Sequence, residues 1–265
     1  MPKRPGYVMI TSVRNRKECL DGICIDYGGD QWDRLRACGV FRKGWRRAGF
    51  GVFKPRTFKT DKRENGTKIR YADLYEKDLS LPQAAEELYQ EIKERQTPVT
   101  FLVNNAGFGL LGATDEIDMA QEERMLQLNM LTPVKLTKLF LPDMERRQRG
   151  YILNVASTGA FQPGPYNSTY YASKAFLYSY SRAICKELKE KGIVVSTLCP
   201  GTTGTGFFVR AGVKTPFFAM KPERVAAAAY AGLRKERDVI IPGALNKVLR
   251  IVPAGVKLNA VAKMK

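Results

Sequence analysis

Residues 151–201 read YILNVASTGAFQPGPYNSTYYASKAFLYSYSRAICKELKEKGIVVSTLCPG. Two short apolar runs, Tyr151–Ser157 and Ile193–Cys199, bracket a segment whose pattern predicts one long helix from about Ser168 to Lys191. Gly192 is a normal stop signal for it. Apolar runs bounded by polar residues are the mark of strands buried on both faces. Strand, helix and strand at this spacing predict parallel strands with the helix crossing between them.

The pattern extends outward. Val99–Asn104 (VTFLVN) predicts another buried strand, and Asp118–Arg149 is mostly helical. Leu81–Arg95 predicts an amphipathic helix with Pro82 in its first turn. Lys68–Asp78 predicts a strand leading into Asp-Leu-Ser-Leu-Pro. From Gly66 onward the chain is therefore expected to be an α/β, doubly wound parallel sheet of Rossmann-like type. A length of 265 residues suits one domain over 1–265. Within it, 66–265 is regular and 1–65 is not.

Tyr170 and Lys174 are four apart on the predicted helix and share a face. A free tyrosine has a pKa of about 10, so general acid/base work near neutrality needs help. An ammonium one turn away favours the phenolate. Tyr171 has Ala175 at the matching position, so only Tyr170 has the lysine. Ser157 ends YILNVAS, at the carboxyl edge where open α/β sheets bind ligands, and its hydroxyl could donate to a carbonyl oxygen that gains charge. Each feature alone has an ordinary reading: two helix-surface residues, a turn serine, and a polar helix position at Asn129.

Together, Asn104-Asn105-Ala106-Gly107, Asn129, Ser157, Tyr170-Tyr-Ala-Ser-Lys174 and Cys199-Pro200-Gly201-Thr-Thr-Gly-Thr205 closely resemble a classical short-chain dehydrogenase/reductase over about residues 66–265. The resemblance implies a carbonyl–alcohol oxidoreductase using NADP or NAD, with Tyr170 as proton donor or acceptor. Lys174 would lower the tyrosine pKa and hold the nicotinamide ribose, Ser157 would orient the carbonyl, and the main chain at Asn129 would hold a proton-relay water. It further implies Asp78 near the adenine and Asn104, Ala106 and Gly107 along the cofactor. Pro200, Gly201, Thr203 and Thr205 would lie at the nicotinamide end. Homodimers or tetramers through the helices carrying Asn129 and Tyr170 are implied as well.

The glycine-rich phosphate loop that should open such a chain is missing, so the first strand-loop-helix unit is expected to be degenerate or absent. Gly28-Gly29-Asp30 is the nearest candidate and lacks the spacing. The genetic code suggests why. When the codons permitted for residues 24–44 are read from their second base, they accommodate V-L-I-T-G-A-T-S-G-I-G-Y-A-L-A-E-Y-F-A-K-D, with Trp32–Asp33 and Trp45–Arg46 forcing glycine. The expectation is that residues 1 to about 64 are out of frame. The alternative is a divergent N-terminus in which Tyr7–Val13 forms the first strand. Loss of the native strand is expected to leave sheet edges unpaired.

Half of the net charge of +18 falls in residues 1–65, with 16 Lys/Arg against 7 Asp/Glu. These basic residues neither cluster on a helix nor interleave with aromatics, so a nucleic-acid partner is not expected. Cys19, Cys24, Cys38, Cys185 and Cys199 have no paired spacing, and histidine is absent, so no metal site is expected. With neither a spanning helix nor a convincing signal peptide, a cytoplasmic location is expected. The tail Asn246–Lys265 mixes basic and apolar residues as membrane-surface helices do. Its Pro-Ala-Gly break favours packing near the substrate mouth instead. Phe108, Phe161, Tyr166, Phe207, Phe208, Phe217 and Phe218 could line a pocket for a lipophilic or aromatic carbonyl, or be core. A binding-only protein without a cofactor pocket is the second functional class.

Overall fold

Three of these apolar runs lie side by side as parallel strands, β4 (Phe101–Asn104), β5 (Gly150–Val155) and β6 (Ile193–Leu198). Asn104 is level with Asn154, and Asn154 with Thr197, so the carboxyl ends share one edge. The computed structural model describes residues 7–14, 19–26, 68–96, 98–204, 216–253, 255 and 257–258. The remaining strands are β1 (Tyr7–Arg14), β2 (Cys19–Asp26), β3 (Lys68–Glu76) and β7 (Val239–Ile240). The sheet order is β3-β1-β2-β4-β5-β6-β7.

From β2 to β7 every neighbouring pair is parallel, as the alternation of runs and helices predicts. β1 is the exception, antiparallel to both β2 and β3. The expected unpaired edge is not found at β4, because β2 (CLDGICID) supplies the pairing. Tyr7–Val13 is a strand, but it sits between β2 and β3 rather than against β4. The segment in which a phosphate loop and its helix would follow lies outside the described residues.

The helices are α1 (Ala84–Glu94), α2 (Met119–Leu126), α3 (Thr132–Arg146), α4 (Ser168–Glu187), α5 (Pro222–Arg234) and α6 (Ala244–Ile251). Leu81 and Pro82 fall in turns before α1 rather than inside it: Leu81 N bonds Asp78 O and Ala84 N bonds Leu81 O. Asp118 caps α2 by accepting from Gln121 N. A five-residue π turn, Gln127–Leu131, separates α2 from α3. α4 continues into a short turn and stops at Gly192, whose φ of 71° suits glycine.

The strands alternate faces with period two, so the sheet carries two cores. Leu102, Ile152 and Val195 pack with Leu88, Leu136 and Ile184 from α1, α3 and α4. Leu153, Val155 and Leu198 pack on the other face with Val225 and Ala229 of α5. This is the doubly wound arrangement. Fully burying each such leucine or isoleucine contributes about 1.5–3 kcal/mol.

Candidate active site

Parallel strands gather their carboxyl ends, and that edge carries Asn104–Gly107, Ser157 and Pro200–Thr203. Ser157, two residues past β5, is extended and caps a short helical turn, Thr158–Phe161. Its Oγ accepts from Gly159 N at 3.0 Å. A hydroxyl that accepts from the main chain keeps its own proton to donate elsewhere. Thr158 N donates to Pro200 O at 2.9 Å, tying the β5 loop to the β6 loop.

α4 brings in Tyr170 and, one turn on, Lys174. The lysine is only 4% exposed. Its Nζ donates to Val155 O at 3.0 Å and stands 5.8 Å from the centre of the Tyr170 ring. Burying an ammonium costs several kcal/mol unless hydrogen bonds offset it, so its place next to a phenol biases that phenol electrostatically. Tyr171 has a different role. Its ring lies within 2.3 Å of where a Cβ on Gly164 would sit, and burial raises its pKa.

Asn129 lies in the π turn, where Thr132 N bonds Gln127 O. Such a turn shifts the hydrogen-bond register by one and needs other partners for the displaced groups. The Asn129 side chain is fully buried. Its Nδ2 donates to Phe108 O at 2.9 Å and Ser173 Oγ at 3.0 Å, while Oδ1 accepts from Phe108 N at 3.2 Å. It therefore clasps the loop after β4 to α4. By itself the residue reads as a polar helix position, and the resemblance implies a role for its main chain; the π turn leaves no composition signal.

The Asn104 side chain turns into the sheet. Its Nδ2 donates to Asn154 Oδ1 at 2.8 Å, and Asn154 Nδ2 donates to Ser181 Oγ at 2.8 Å. Ala106 and Gly107 follow, buried, in the turn after β4. Asp78 sits apart from the Tyr170 cluster in the turn after β3. One oxygen takes Arg124 Nη2 at 2.5 Å; the other takes Ser80 N at 3.1 Å and Ser80 Oγ at 2.6 Å. Arg124, on α2, has no signal in the sequence, because its distance from Asp78 along the chain fits no local motif.

Pro200 and Thr203 are buried, and Thr203 Oγ1 donates to Gly201 O at 2.8 Å. Thr203 also bridges to Met220. Thr205, Phe207 and Phe208 lie outside the described residues. Cys199 is fully buried, and burial pushes its thiol up to about 12, which makes it a structural thiol. Among the described residues no group of three His, Cys, Asp or Glu could hold a metal, and no helix is long and apolar enough to cross a membrane.

Phe217 and Phe218, two of the aromatics suggested for a pocket, do not line one. Phe217 is fully exposed and Phe218 is 57% exposed, on a turn ahead of α5. Phe161 packs on Tyr178 at 5.1 Å between ring centres. The C-terminal segment does pack near this edge: Lys257 Nζ donates to Phe161 O at 3.1 Å.

The family model described as short chain dehydrogenase matches residues 53–214. The chain is similar to the ketoacyl reductase HetN of Nostoc sp., 32% identical over 157 residues, 58% of this chain and 55% of that protein. It is similar to the very-long-chain 3-oxoacyl-CoA reductase of Anas platyrhynchos, 30% identical over 206 residues, 74% of this chain and 63% of that protein. It therefore spans just over half to under two thirds of the length of these curated relatives. Among solved structures it resembles a short-chain dehydrogenase from Sphingobium yanoikuyae in complex with NADPH. That match has a TM-score of 0.61 and 26% identity, over 71% of this chain and 74% of that one.

Proposed function

The chain belongs to the short-chain dehydrogenase family, and on that premise we propose that it interconverts a carbonyl and a secondary alcohol with NADP, or else NAD, as cofactor. The observation that carries the reading is the buried Lys174 ammonium, bonded to Val155 O beside the Tyr170 ring. In this reading Tyr170 gives its phenolic proton to the substrate oxygen during reduction and takes it back during oxidation. Lys174 favours the phenolate left behind. Ser157 donates a hydrogen bond to the same substrate oxygen as charge grows there. The main chain of the π turn at Asn129 holds the water that relays a proton to Lys174.

The residues described at the carboxyl edge of β4, β5 and β6 fit the nicotinamide end of such a cofactor; the phosphate-loop segment lies outside the described residues. A Cβ on Gly107 would fall 2.8 Å from Asn129 Oδ1, so the loop after β4 has kept its main chain bare and close to the catalytic helix. Lys174 and Tyr170 would hold the ribose, with Asn104, Ala106 and Gly107 along the cofactor and Asp78 near the adenine. Pro200, Gly201, Thr203 and Thr205 would hold the nicotinamide end. When bound, the cofactor supplies or accepts the hydride. The preference for NADP rests on the NADPH complex of the Sphingobium protein.

The substrate class proposed is a lipophilic carbonyl such as a 3-oxoacyl thioester, supported by the names of the two curated relatives. Assembly into dimers or tetramers through the helical stretch carrying Asn129 and through α4, which carries Tyr170, belongs to the same reading; exposed Leu131 and Phe176 support it. So does a single domain over 1–265 in which residues 1 to about 64 are out of frame. The family match begins at residue 53, after most of that segment but inside its end.

The test is NADPH binding by fluorescence together with turnover of 3-oxoacyl thioesters by the chain and by Tyr170→Phe. Binding by both and turnover by the parent alone is expected. Binding without turnover by the parent would assign a binding-only protein, and no binding at all would show that the cofactor site is not built in this chain.

A further inference from the structure

A lysine is seldom buried, because its ammonium gives up water and must find partners within the protein. Lys257 is 8% exposed, and its Nζ donates to Phe161 O at 3.1 Å. That acceptor is the last carbonyl of the short turn Thr158–Phe161, the turn that Ser157 caps. Carbonyls at the end of a helical turn lack a partner inside it, and a lysine is a fitting donor for one. The bond spans 96 positions of the chain, so it ties the C-terminal segment to the catalytic edge.

Two further contacts hold Phe161. The Arg250 guanidinium of α6 lies 5.3 Å from its ring centre, and the Tyr178 ring meets it edge to face at 5.1 Å. Arg250 Nη2 donates to Tyr178 Oη at 3.3 Å, which closes the group. Tyr178 belongs to α4, and spacings of four put Tyr170, Lys174 and Tyr178 on one face of that helix. Phe161 and Tyr178 also pack on Ala156 and Cys199, the residues immediately before Ser157 and Pro200. The C-terminal segment thus grips the Ser157 turn and the Tyr170 helix together.

The direction of one hydroxyl depends on this grip. Ser157 Oγ accepts from Gly159 N at 3.0 Å, and Ser157 O accepts from Ala160 N at 3.1 Å. Both donors belong to the turn, so a shift of the turn carries the hydroxyl with it. A donor aimed at growing charge acts through its preset position. Displacing such a group by about 1 Å can cost about a hundredfold in rate.

We propose that Lys257, assisted by Arg250, is a positioning residue that holds the Thr158–Phe161 turn so that Ser157 and Tyr170 point at the same substrate oxygen. The hold on the turn stands on its own. Its effect on turnover rests on the oxidoreductase reading above.

The experiment joins amide hydrogen exchange with steady-state kinetics on the full chain. In Lys257→Met the amides of Gly159, Ala160 and Gln162 are expected to exchange about tenfold faster than in the parent. The kcat for a 3-oxoacyl thioester should fall about tenfold with the KM for NADPH unchanged. In a Ser157→Ala background the same substitution should cost nothing more, because the group through which it acts is gone. Arg250 is exposed, so Arg250→Met serves where Lys257→Met fails to fold, and it should show the same pattern at about threefold. Faster exchange confined to the C-terminal segment would make Lys257 a tether for that segment alone and overturn the proposal. Full additivity with Ser157→Ala would overturn it as well. A parent that binds NADPH but turns nothing over defeats the oxidoreductase reading instead, and exchange in the turn still decides whether Lys257 holds it.

Discussion

Gly107 and Asn129 are in such close approach that a Cβ added to the glycine would stand 2.8 Å from Asn129 Oδ1, with Lys174 Nζ next at 3.1 Å. Real Cβ contacts are essentially never that short, so a larger residue there must move a fully buried amide or a buried ammonium. Gly107→Ala is expected to cut kcat/KM about a hundredfold while lowering the melting temperature by only a few degrees, because small displacements at reacting groups cost more in rate than in stability. Steady-state kinetics and thermal melting of the same preparation check this. A variant with the parent's activity would show that Lys174 tolerates displacement.

Arg124 is the side chain that holds Asp78 in place. Both carboxylate oxygens of Asp78 are engaged, by Arg124 and by Ser80, and Arg124 Nε also donates to Ser80 Oγ at 3.1 Å. The pair is half-exposed, so its direct worth is modest, about 0.2–1 kcal/mol. Arg124→Ala should therefore barely shift the melting temperature. If Asp78 lies at the adenine end, the variant should raise the cofactor KM about three- to tenfold with kcat unchanged, since uniform binding alone is lost. A fall in kcat at constant KM would instead connect this triad to the chemistry.

The polar row through the sheet gives a stability prediction. Asn154 is fully buried and bridges Asn104 to Ser181, which in turn donates to Leu177 O at 2.5 Å. Asn154→Ala removes both bonds and leaves the buried Asn104 amide and Ser181 hydroxyl short of a partner. The expected loss is about 2–4 kcal/mol, combining an orphaned polar group with a small cavity. Denaturant unfolding measures it. A loss below 0.5 kcal/mol (roughly, the level of a surface change) would mean that the row is dispensable.

How much of this was legible beforehand depends on how local the signal is. The strands ending at Asn104, Val155 and Leu198, and the helix carrying Tyr170 and Lys174, follow from apolar runs and helical spacing within short windows. Gly192 ends the Tyr170 helix as its residue type predicts. The π turn at Asn129 and the bond between Arg124 and Asp78 arise from contacts between distant segments. Phe217 and Phe218 show the limit of composition: aromatic content suggests a pocket lining, but only packing tells which way a ring faces. The pairing of β2 with β4 was missed for a related reason, since edge partners are chosen by the whole sheet and not by the strand itself.

Asp238 sets an acid limit on the junction between α4 and β7. Burial by itself would raise its pKa, but hydrogen bonds from Arg182, at 2.8 Å, and Cys185, with the charge of Lys186 nearby, hold the carboxyl below its ordinary 3.8. A carboxyl depressed on folding contributes stability that is complete above its unfolded value and is lost as pH falls through the folded one. The gain is therefore present near neutrality and begins to be lost below about pH 4. The group is more than a third exposed, so solvent screening keeps its worth under about 1 kcal/mol. Arg182→Met should lower the melting temperature by a degree or two at about pH 6, and this gap should narrow at about pH 3. A gap of the same size at both values would mean that Arg182 acts through packing of its stem rather than through its charge.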